Sequence, residues 1–118
     1  MRKKILIADD DPTLTRLLGS YLGENGYDTV VAHDGDEALR KLEQELPDLI
    51  ILDVVMPKVN GYAFLFAMRQ IEGARTTPII VLTCKPELAE IFLAEGVQEY
   101  VIKPFPHQEL LLKVRKYI

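Results

Sequence analysis

The sequence is short of cysteine and of positive charge, and it has no long apolar run. A single cysteine, Cys84, rules out an internal disulfide and is typical of a protein from a reducing compartment. The 18 acidic side chains outnumber the 14 basic ones, which argues against direct nucleic-acid binding, because such binding needs a basic stripe. Neither a bilayer-spanning stretch nor a signal-peptide pattern is present, so we expect a cytoplasmic protein without membrane contact.

What the sequence does have is the composition of an ordinary globular domain. Its 118 residues, of which 48% are hydrophobic and 27% charged, are enough to form one hydrophobic core. The sequence has no internal repeat, low-complexity segment or linker, and it ends with its last predicted helix. We therefore expect a single domain over residues 1–118, with no output domain after it.

Five short apolar runs alternate with helical patterns along the chain. The runs are rich in Ile, Val and Leu at successive positions, which is typical of strands buried on both faces of a parallel sheet. They lie at Ile5–Ala8, Val30–Ala32, Leu49–Leu52, Ile79–Leu82 and Tyr100–Ile102. The intervening segments show the i, i+3, i+4, i+7 spacing of amphipathic helices. Because short right-handed crossovers connect such units, we predict a doubly wound α/β fold around an open sheet.

Capping signals support this division. Asp11-Pro12 predicts an N-cap followed by proline at the first helical position, and Gly26 stands where the first helix should end. Asp34-Gly35 predicts a turn before a helix that begins near Asp36.

Polar side chains follow four of the five predicted strands, at the point where each strand ends. Three are carboxylates, one is a hydroxyl and one is an ammonium group: Asp9, Asp10, Asp53, Thr83 and Lys103. Ligands of open α/β sheets bind in the crevice at the carboxyl ends of the strands. We therefore predict that these five residues form one site.

The charge balance of this site indicates its ligand. Two carboxylates about 4 Å apart repel each other by roughly 4 kcal/mol at an effective dielectric constant near 20. Lys103 offsets one of the three negative charges, and the remaining two suit a divalent cation. An all-oxygen site with few carboxylates favours Mg²⁺, with Mn²⁺ as an alternative. A cation, a carboxylate nucleophile, a hydroxyl and a lysine are the parts needed for in-line phosphoryl transfer.

Four segments of the sequence resemble the receiver domain of two-component response regulators. They are ILIADDDP at 5–12, LIILDVVMP at 49–57 with Asn60-Gly61, PIIVLT at 78–83 and YVIKPF at 100–105. The resemblance runs from Lys4 to the C-terminus. It implies a flavodoxin-like (βα)5 sandwich whose five parallel strands have the order 2-1-3-4-5.

The resemblance implies a role for each residue of the predicted site. Asp53 would accept the phosphoryl group, and Asp10, Asp53 and the backbone carbonyl of Val55 would bind Mg²⁺. Asp9 would act on the cation mainly through water. Lys103 would contact the phosphoryl oxygens.

Two residues would report phosphorylation to the rest of the domain. Thr83 would move toward the phosphoryl group and hydrogen-bond it, and Tyr100 would turn inward behind it. The resemblance also implies a cis peptide between Lys103 and Pro104. The phosphoryl donor would be a sensor histidine kinase or a phosphotransfer protein, and the target an unidentified downstream protein or output domain. Any homodimer would form through the fourth helix, fifth strand and fifth helix.

Three features depart from the usual family pattern or bear on its kinetics. The segment from Thr83 to Lys103 is slightly shorter than usual, which predicts a trimmed fourth helix or preceding loop. Cys84 stands where a small residue such as alanine is common, and it could crowd the phosphoryl site. Val55 offers no side-chain hydrogen bond to an attacking water, which predicts a longer-lived phosphoryl state.

Two other functions compete with this interpretation. A phosphatase of the haloacid-dehalogenase type needs a second Asp two residues after its nucleophile, where this sequence has Val55, so we expect catalysis only of the domain's own phosphorylation and dephosphorylation. A degenerate receiver, which binds partners without phosphorylation, remains an alternative because the segment from Thr83 to Lys103 is shortened. The apolar fourth helix, around Phe92 and Leu93, predicts a partner surface, provided that these two side chains are not both covered.

Overall fold

The computed structural model describes residues 2–118, which form five strands and five α-helices in strict alternation. A short 3₁₀ turn at Pro86–Leu88 precedes the fourth helix. The elements are β1 (Lys4–Ala8), α1 (Pro12–Glu24), β2 (Asp28–Ala32), α2 (Gly35–Glu45), β3 (Leu49–Leu52), α3 (Gly61–Met68), β4 (Ile79–Thr83), α4 (Ala89–Ala94), β5 (Glu99–Ile102) and α5 (His107–Tyr117). Over these residues, every helix is too short or too polar to cross a bilayer.

The five strands form one parallel sheet in the order β2-β1-β3-β4-β5, as predicted. The third strand has the predicted bounds, and each of the other four differs from its prediction by one or two residues at one end. The largest difference is in β2, which begins at Asp28 because an edge strand tolerates polar residues that face solvent. The register pairs Ala8 with Leu52 and Leu52 with Val81, so β1, β3 and β4 end close together.

Alternate strand residues belong to two separate cores, one on each face of the sheet. The core under α2, α3 and α4 is made by strand residues that pack on helix residues: Leu6, Ile50, Leu52, Val81, Leu42, Phe64 and Phe92. The core under α1 and α5 is built in the same way: Ile5, Ile7, Leu49, Ile51, Ile80, Leu18, Leu22, Leu110 and Val114. Burial on both faces explains why the strands read as continuous apolar runs.

The predicted helix caps are confirmed, with one shift. The Asp11 side chain accepts the N–H groups of Thr13 and Leu14 at the start of α1, and Gly26 adopts a φ of 100° just beyond its end. The second helix begins at Gly35, one residue earlier than expected, because Asp34 is its N-cap.

Two helices differ in detail from their patterns. In α1, Leu17 has half of its surface exposed. Thr15 is buried, although it is not one of the apolar positions of the helical pattern. The fourth helix has only six residues, in agreement with the shortened segment. Its Phe92 is buried, but Leu93 is 48% exposed, so the condition set for a partner surface is met.

Candidate functional site

Three carboxylates meet where β1 and β3 end. Asp9 and Asp10 follow β1, Asp53 follows β3, and the Asp53 N–H donates to the Ala8 carbonyl at 2.9 Å, which fixes the two strand ends side by side. One oxygen from each carboxylate lies within 4.8 Å of the others. Asp9 and Asp53 are buried, whereas Asp10 is exposed. The predicted acidic cluster is therefore present in the structure.

Lys103 reaches this cluster from β5. Its main-chain N–H donates to the Thr83 carbonyl at 2.9 Å, which ties the end of β5 to the end of β4. Its ammonium group lies 2.6 Å from Oδ2 of Asp9 and 3.2 Å from Oδ2 of Asp53. The Lys103–Pro104 peptide bond is cis, as the resemblance implied. One lysine therefore bridges the two buried carboxylates.

The electrostatics of the cluster follow from burial and pairing. Burial raises the pKa of Asp9, although the hydrogen bonds from Lys103 and the Asp11 amide act in the opposite direction. Burial lowers the pKa of Lys103, but its bonds to Asp9 and Asp53 outweigh this effect and the net shift is upward. The ammonium thus stays charged, and three carboxylates share a single organic cation.

Thr83 is fully buried, and its Oγ1 has no hydrogen-bond partner among residues 2–118. An unpaired buried hydroxyl costs about 1–3 kcal/mol, so native structures rarely keep one without a reason. Thr83 ends β4, next to β3 and Asp53 in the sheet. The Thr83 hydroxyl, without a partner among residues 2–118, is therefore available for a hydrogen bond to a ligand.

Tyr100 connects β5 to the loop that follows Thr83. Its hydroxyl donates to the carbonyl of Lys85, and its ring lies 6.4 Å from the ring of Phe92 in α4. Burial, followed by the nearby Glu87 carboxylate, raises the pKa of this phenol. The side chain is half-buried at the surface between the loop and α4.

The loop after β3 orients Asp53. The Val55 N–H donates to Oδ1 of Asp53 at 3.0 Å, and the Gly61 N–H donates to the Val54 carbonyl at 2.9 Å. A Cβ at Gly61 would lie 2.6 Å from the Cα of Val54, so only glycine permits this approach. The Val55 side chain is 48% exposed.

Sequence reasoning missed two features of the site. The Asp11 amide donates to Oδ1 of Asp9 at 2.9 Å, and the predicted cap at Asp11 did not indicate this second contact. An aspartate that accepts the N–H two residues ahead is a recurrent turn, so the Asp9-x-Asp11 spacing was the available signal. The second feature is the exposure of Cys84, which its position after Thr83 did not indicate.

The donor set fits Mg²⁺. Three carboxylates with convergent oxygens, two of them buried and only partly neutralised by Lys103, offer hard oxygen ligands and a net negative charge. Asp10 is exposed, so one side of the cluster is open to water. Such an arrangement can hold one divalent cation beside a carboxylate nucleophile.

The chain resembles known proteins in both sequence and structure. The DNA-binding response regulator MtrA of Mycolicibacterium smegmatis is 38% identical over 117 residues, which are 98% of this chain and 50% of that protein. The chain spans about half the length of the curated relatives it matches. The Vibrio cholerae chemotaxis protein CheY4 superposes with a TM-score of 0.92 at 32% identity, over 100% of both chains. The Thermotoga maritima response regulator TrrA, in complex with Mg²⁺-BeF, has a TM-score of 0.87 at 35% identity, over 98% of this chain and 99% of that one.

A sequence profile of the response regulator receiver domain matches residues 5–115. The strand order and the fold of the structural neighbours agree with that match. The chain therefore belongs to the receiver domain family of two-component response regulators.

Proposed function

We propose that this domain is a phosphorylation-dependent switch, in which Asp53 takes a phosphoryl group from a phosphohistidine donor in the presence of Mg²⁺. The donor is a sensor histidine kinase or a phosphotransfer protein. The observation that carries the proposal is the setting of Asp53, which is buried, oriented by the Val55 N–H and paired with Lys103 beside two more carboxylates.

The resemblance to receiver domains and the acidic cluster together support a set of ligands for the cation. Asp10, Asp53 and the Val55 carbonyl would hold Mg²⁺ directly, and Asp9 would act on it through water. When bound, the cation would neutralise negative charge on the phosphoryl oxygens.

In the transfer itself, the phosphoryl group passes from the donor nitrogen to an oxygen of Asp53. An oxygen of Asp53 attacks phosphorus, the new O–P bond forms as the P–N bond of the donor breaks, and the donor imidazole keeps the electron pair. Lys103 remains protonated and donates an N–H to a phosphoryl oxygen in place of its bond to Asp53. The free hydroxyl of Thr83 supplies a further donor.

The switch links the phosphoryl group to the outer surface of the domain. Movement of Thr83 toward the phosphoryl group pulls on Cys84 and Lys85, and Tyr100 is hydrogen-bonded to the Lys85 carbonyl. The surface of α4, β5 and α5 changes in response, and the exposed side chains of Ile91 and Leu93 make it suitable for a protein partner or a second copy of the chain.

Five narrower proposals accompany this function. The domain catalyses only its own phosphorylation and dephosphorylation, and residues 1–118 form a single receiver domain that works in the cytoplasm. Its net charge of −4 favours protein partners over direct contact with nucleic acid. The exposed apolar Val55 beside Asp53 cannot hydrogen-bond an attacking water, so the phosphoryl group should be long-lived.

Intact mass after incubation with acetyl phosphate and Mg²⁺ tests the proposal. We expect wild type to gain the mass of one phosphoryl group, and Asp53→Asn to gain none, because the amide cannot act as the nucleophile. Asp48→Asn is the matched control, because Asp48 lies at the opposite end of β3 and an amide oxygen can still accept the Lys4 N–H. This variant should be modified like wild type, and EDTA should prevent modification of both.

A folded wild type that gains no mass would contradict the proposal. The alternative would then be a phosphorylation-independent interaction module, with the shortened segment between Thr83 and Lys103 as its cause. If Asp53→Asn were modified to the same extent as wild type, the phosphoacceptor would be a residue other than Asp53.

A further inference from the structure

Asp11 has no part in the proposed chemistry, yet it contacts Asp9 directly. The amide N–H of Asp11 donates to Oδ1 of Asp9 at 2.9 Å. The other oxygen of Asp9, Oδ2, accepts from the Lys103 ammonium at 2.6 Å. Because Asp9 is only 2% exposed, these two donors, one on each oxygen, determine how its carboxylate is oriented.

The position of the Asp11 amide depends in turn on the start of α1. Oδ1 of Asp11 accepts the N–H groups of Thr13 at 3.0 Å and Leu14 at 3.3 Å, and its carbonyl accepts the Thr15 N–H at 3.1 Å. Pro12 has no N–H that could compete for the cap. The cap therefore restrains the Asp11 backbone, and with it the direction of the N–H that reaches Asp9.

We propose that Asp11 is a positioning residue for the cation site. Its helix cap holds its own amide against Asp9, and the amide keeps Asp9 in the orientation in which it serves bound Mg²⁺. The inference rests on the proposed function, because it takes the three carboxylates as the cation site. Asp11 acts through Asp9 and does not need to touch the cation.

The test is the Mg²⁺ dissociation constant of the full chain, measured by NMR titration without any phosphoryl donor. Asp11→Ala removes the capping oxygen, whereas Asp11→Ser and Asp11→Asn keep a capping oxygen and remove only the charge. Loss of a hydrogen-bond partner of a metal ligand commonly lowers metal affinity by about 10–100-fold. Because Asp9 acts on the cation through water, we expect Asp11→Ala to weaken binding by roughly 10-fold, at the low end of that range. Loss of one exposed charge should have a smaller effect on Mg²⁺ binding. The dissociation constants of Asp11→Ser and Asp11→Asn should therefore stay within about 3-fold of the wild-type value.

Asp34→Ala is the matched control. It removes the N-cap of α2, which accepts the Glu37 N–H at 2.8 Å, and leaves both bonds to Asp9 intact. This variant should bind Mg²⁺ like wild type. Amide spectra of all variants without Mg²⁺ establish that each is folded before titration.

Several results would overturn the inference. Equal weakening in all three Asp11 variants would assign the effect to charge alone, and equal weakening in Asp34→Ala would assign it to general loosening. Unchanged Mg²⁺ affinity in Asp11→Ala would show that Asp11 does not position Asp9 for the cation. A wild type that binds Mg²⁺ but takes no phosphoryl group would contradict the proposed function and leave this inference standing, whereas a wild type that binds no Mg²⁺ would overturn both.

Discussion

Two clusters of lysine and carboxylate groups in this domain have opposite charge balances. At the carboxyl end of the sheet, Lys103 faces the buried Asp9 and Asp53, with Asp10 close by. Carboxylates outnumber cations there, burial raises the pKa of Asp9, and the neighbouring Thr83 hydroxyl is unpaired.

The second cluster surrounds Glu99 in β5. Its carboxylate is contacted by Lys113 at 3.1 Å and Lys116 at 3.2 Å, and it accepts a hydrogen bond from the Tyr117 hydroxyl. The Tyr117 hydrogen bond, with help from both lysines, lowers the pKa of Glu99 to about 2. Donors outnumber carboxylates here, so the cluster has no need for an added cation.

The comparison shows how charge balance separates a chemical site from a structural one. Both clusters join elements that are distant in the sequence. Only the cluster at Asp53 leaves negative charge and a buried hydroxyl without compensation, which is the condition that favours binding of a cation and a phosphoryl group.

The largest effect should come from removing the lysine of each cluster. Lys103→Met leaves two buried carboxylates without a cation, which should lower the free energy of unfolding by about 3 kcal/mol in the absence of Mg²⁺. Lys116→Met removes an exposed partner of Glu99, which keeps Lys113 and Tyr117, so the loss should be much smaller than in Lys103→Met. Urea denaturation of both variants measures the difference, and Mg²⁺ should restore part of the loss only in Lys103→Met. Equal losses would refute the proposed contrast.

Smaller effects on the free energy of unfolding, of opposite sign, are expected when the buried hydroxyls of Thr83 and Thr15 are removed. Thr83→Val replaces an unpaired buried hydroxyl by a methyl group and should raise the free energy of unfolding by about 1 kcal/mol. Thr15→Val is the control, because the Thr15 hydroxyl bonds to the Pro12 carbonyl and to His33 and its loss should cost about 1 kcal/mol. Thermal denaturation without Mg²⁺ distinguishes them. A destabilised Thr83→Val would show that the hydroxyl has a partner after all.

The smallest effect is in the pH dependence of stability. The pKa of Glu99 is about 2 in the folded state against 4.5 ordinarily, so its stabilisation is complete above pH 4.5 and is lost as the pH falls toward 2. Solvent screening keeps this contribution below about 1 kcal/mol. Denaturation between about pH 5 and about pH 2.5 should show a smaller loss of stability in Glu99→Gln than in wild type. Identical slopes would mean that Glu99 does not contribute.

Asp9 should act in the opposite direction over the acidic range. Its pKa is raised in the folded state, so folding favours its protonated form, and its contribution declines as the pH rises through its folded pKa. The pH dependence of stability therefore has opposite signs at Asp9 and at Glu99.

Much of the site was predictable because each residue follows a strand. The carboxyl ends of parallel strands meet at one edge, so the apolar runs that end before Asp9, Asp53, Thr83 and Lys103 already imply a shared site. Helix ends were predicted nearly as well, since capping depends on a few neighbouring residues such as Asp11 and Pro12. The sequence did not predict the exposure of Leu17 or the burial of Thr15, because both depend on how α1 lies against the sheet.

The sequence by itself determined the order of strands and helices and the identity of the residues at the edge of the sheet, since both depend on local periodicity and on strand ends. Only the tertiary structure decided that Lys103 bridges Asp9 and Asp53 and that the Thr83 hydroxyl has no hydrogen-bond partner among residues 2–118. These features depend on distances and directions between individual atoms, most of them on separate strands. Packing of the two cores sets those distances, and no local pattern encodes them.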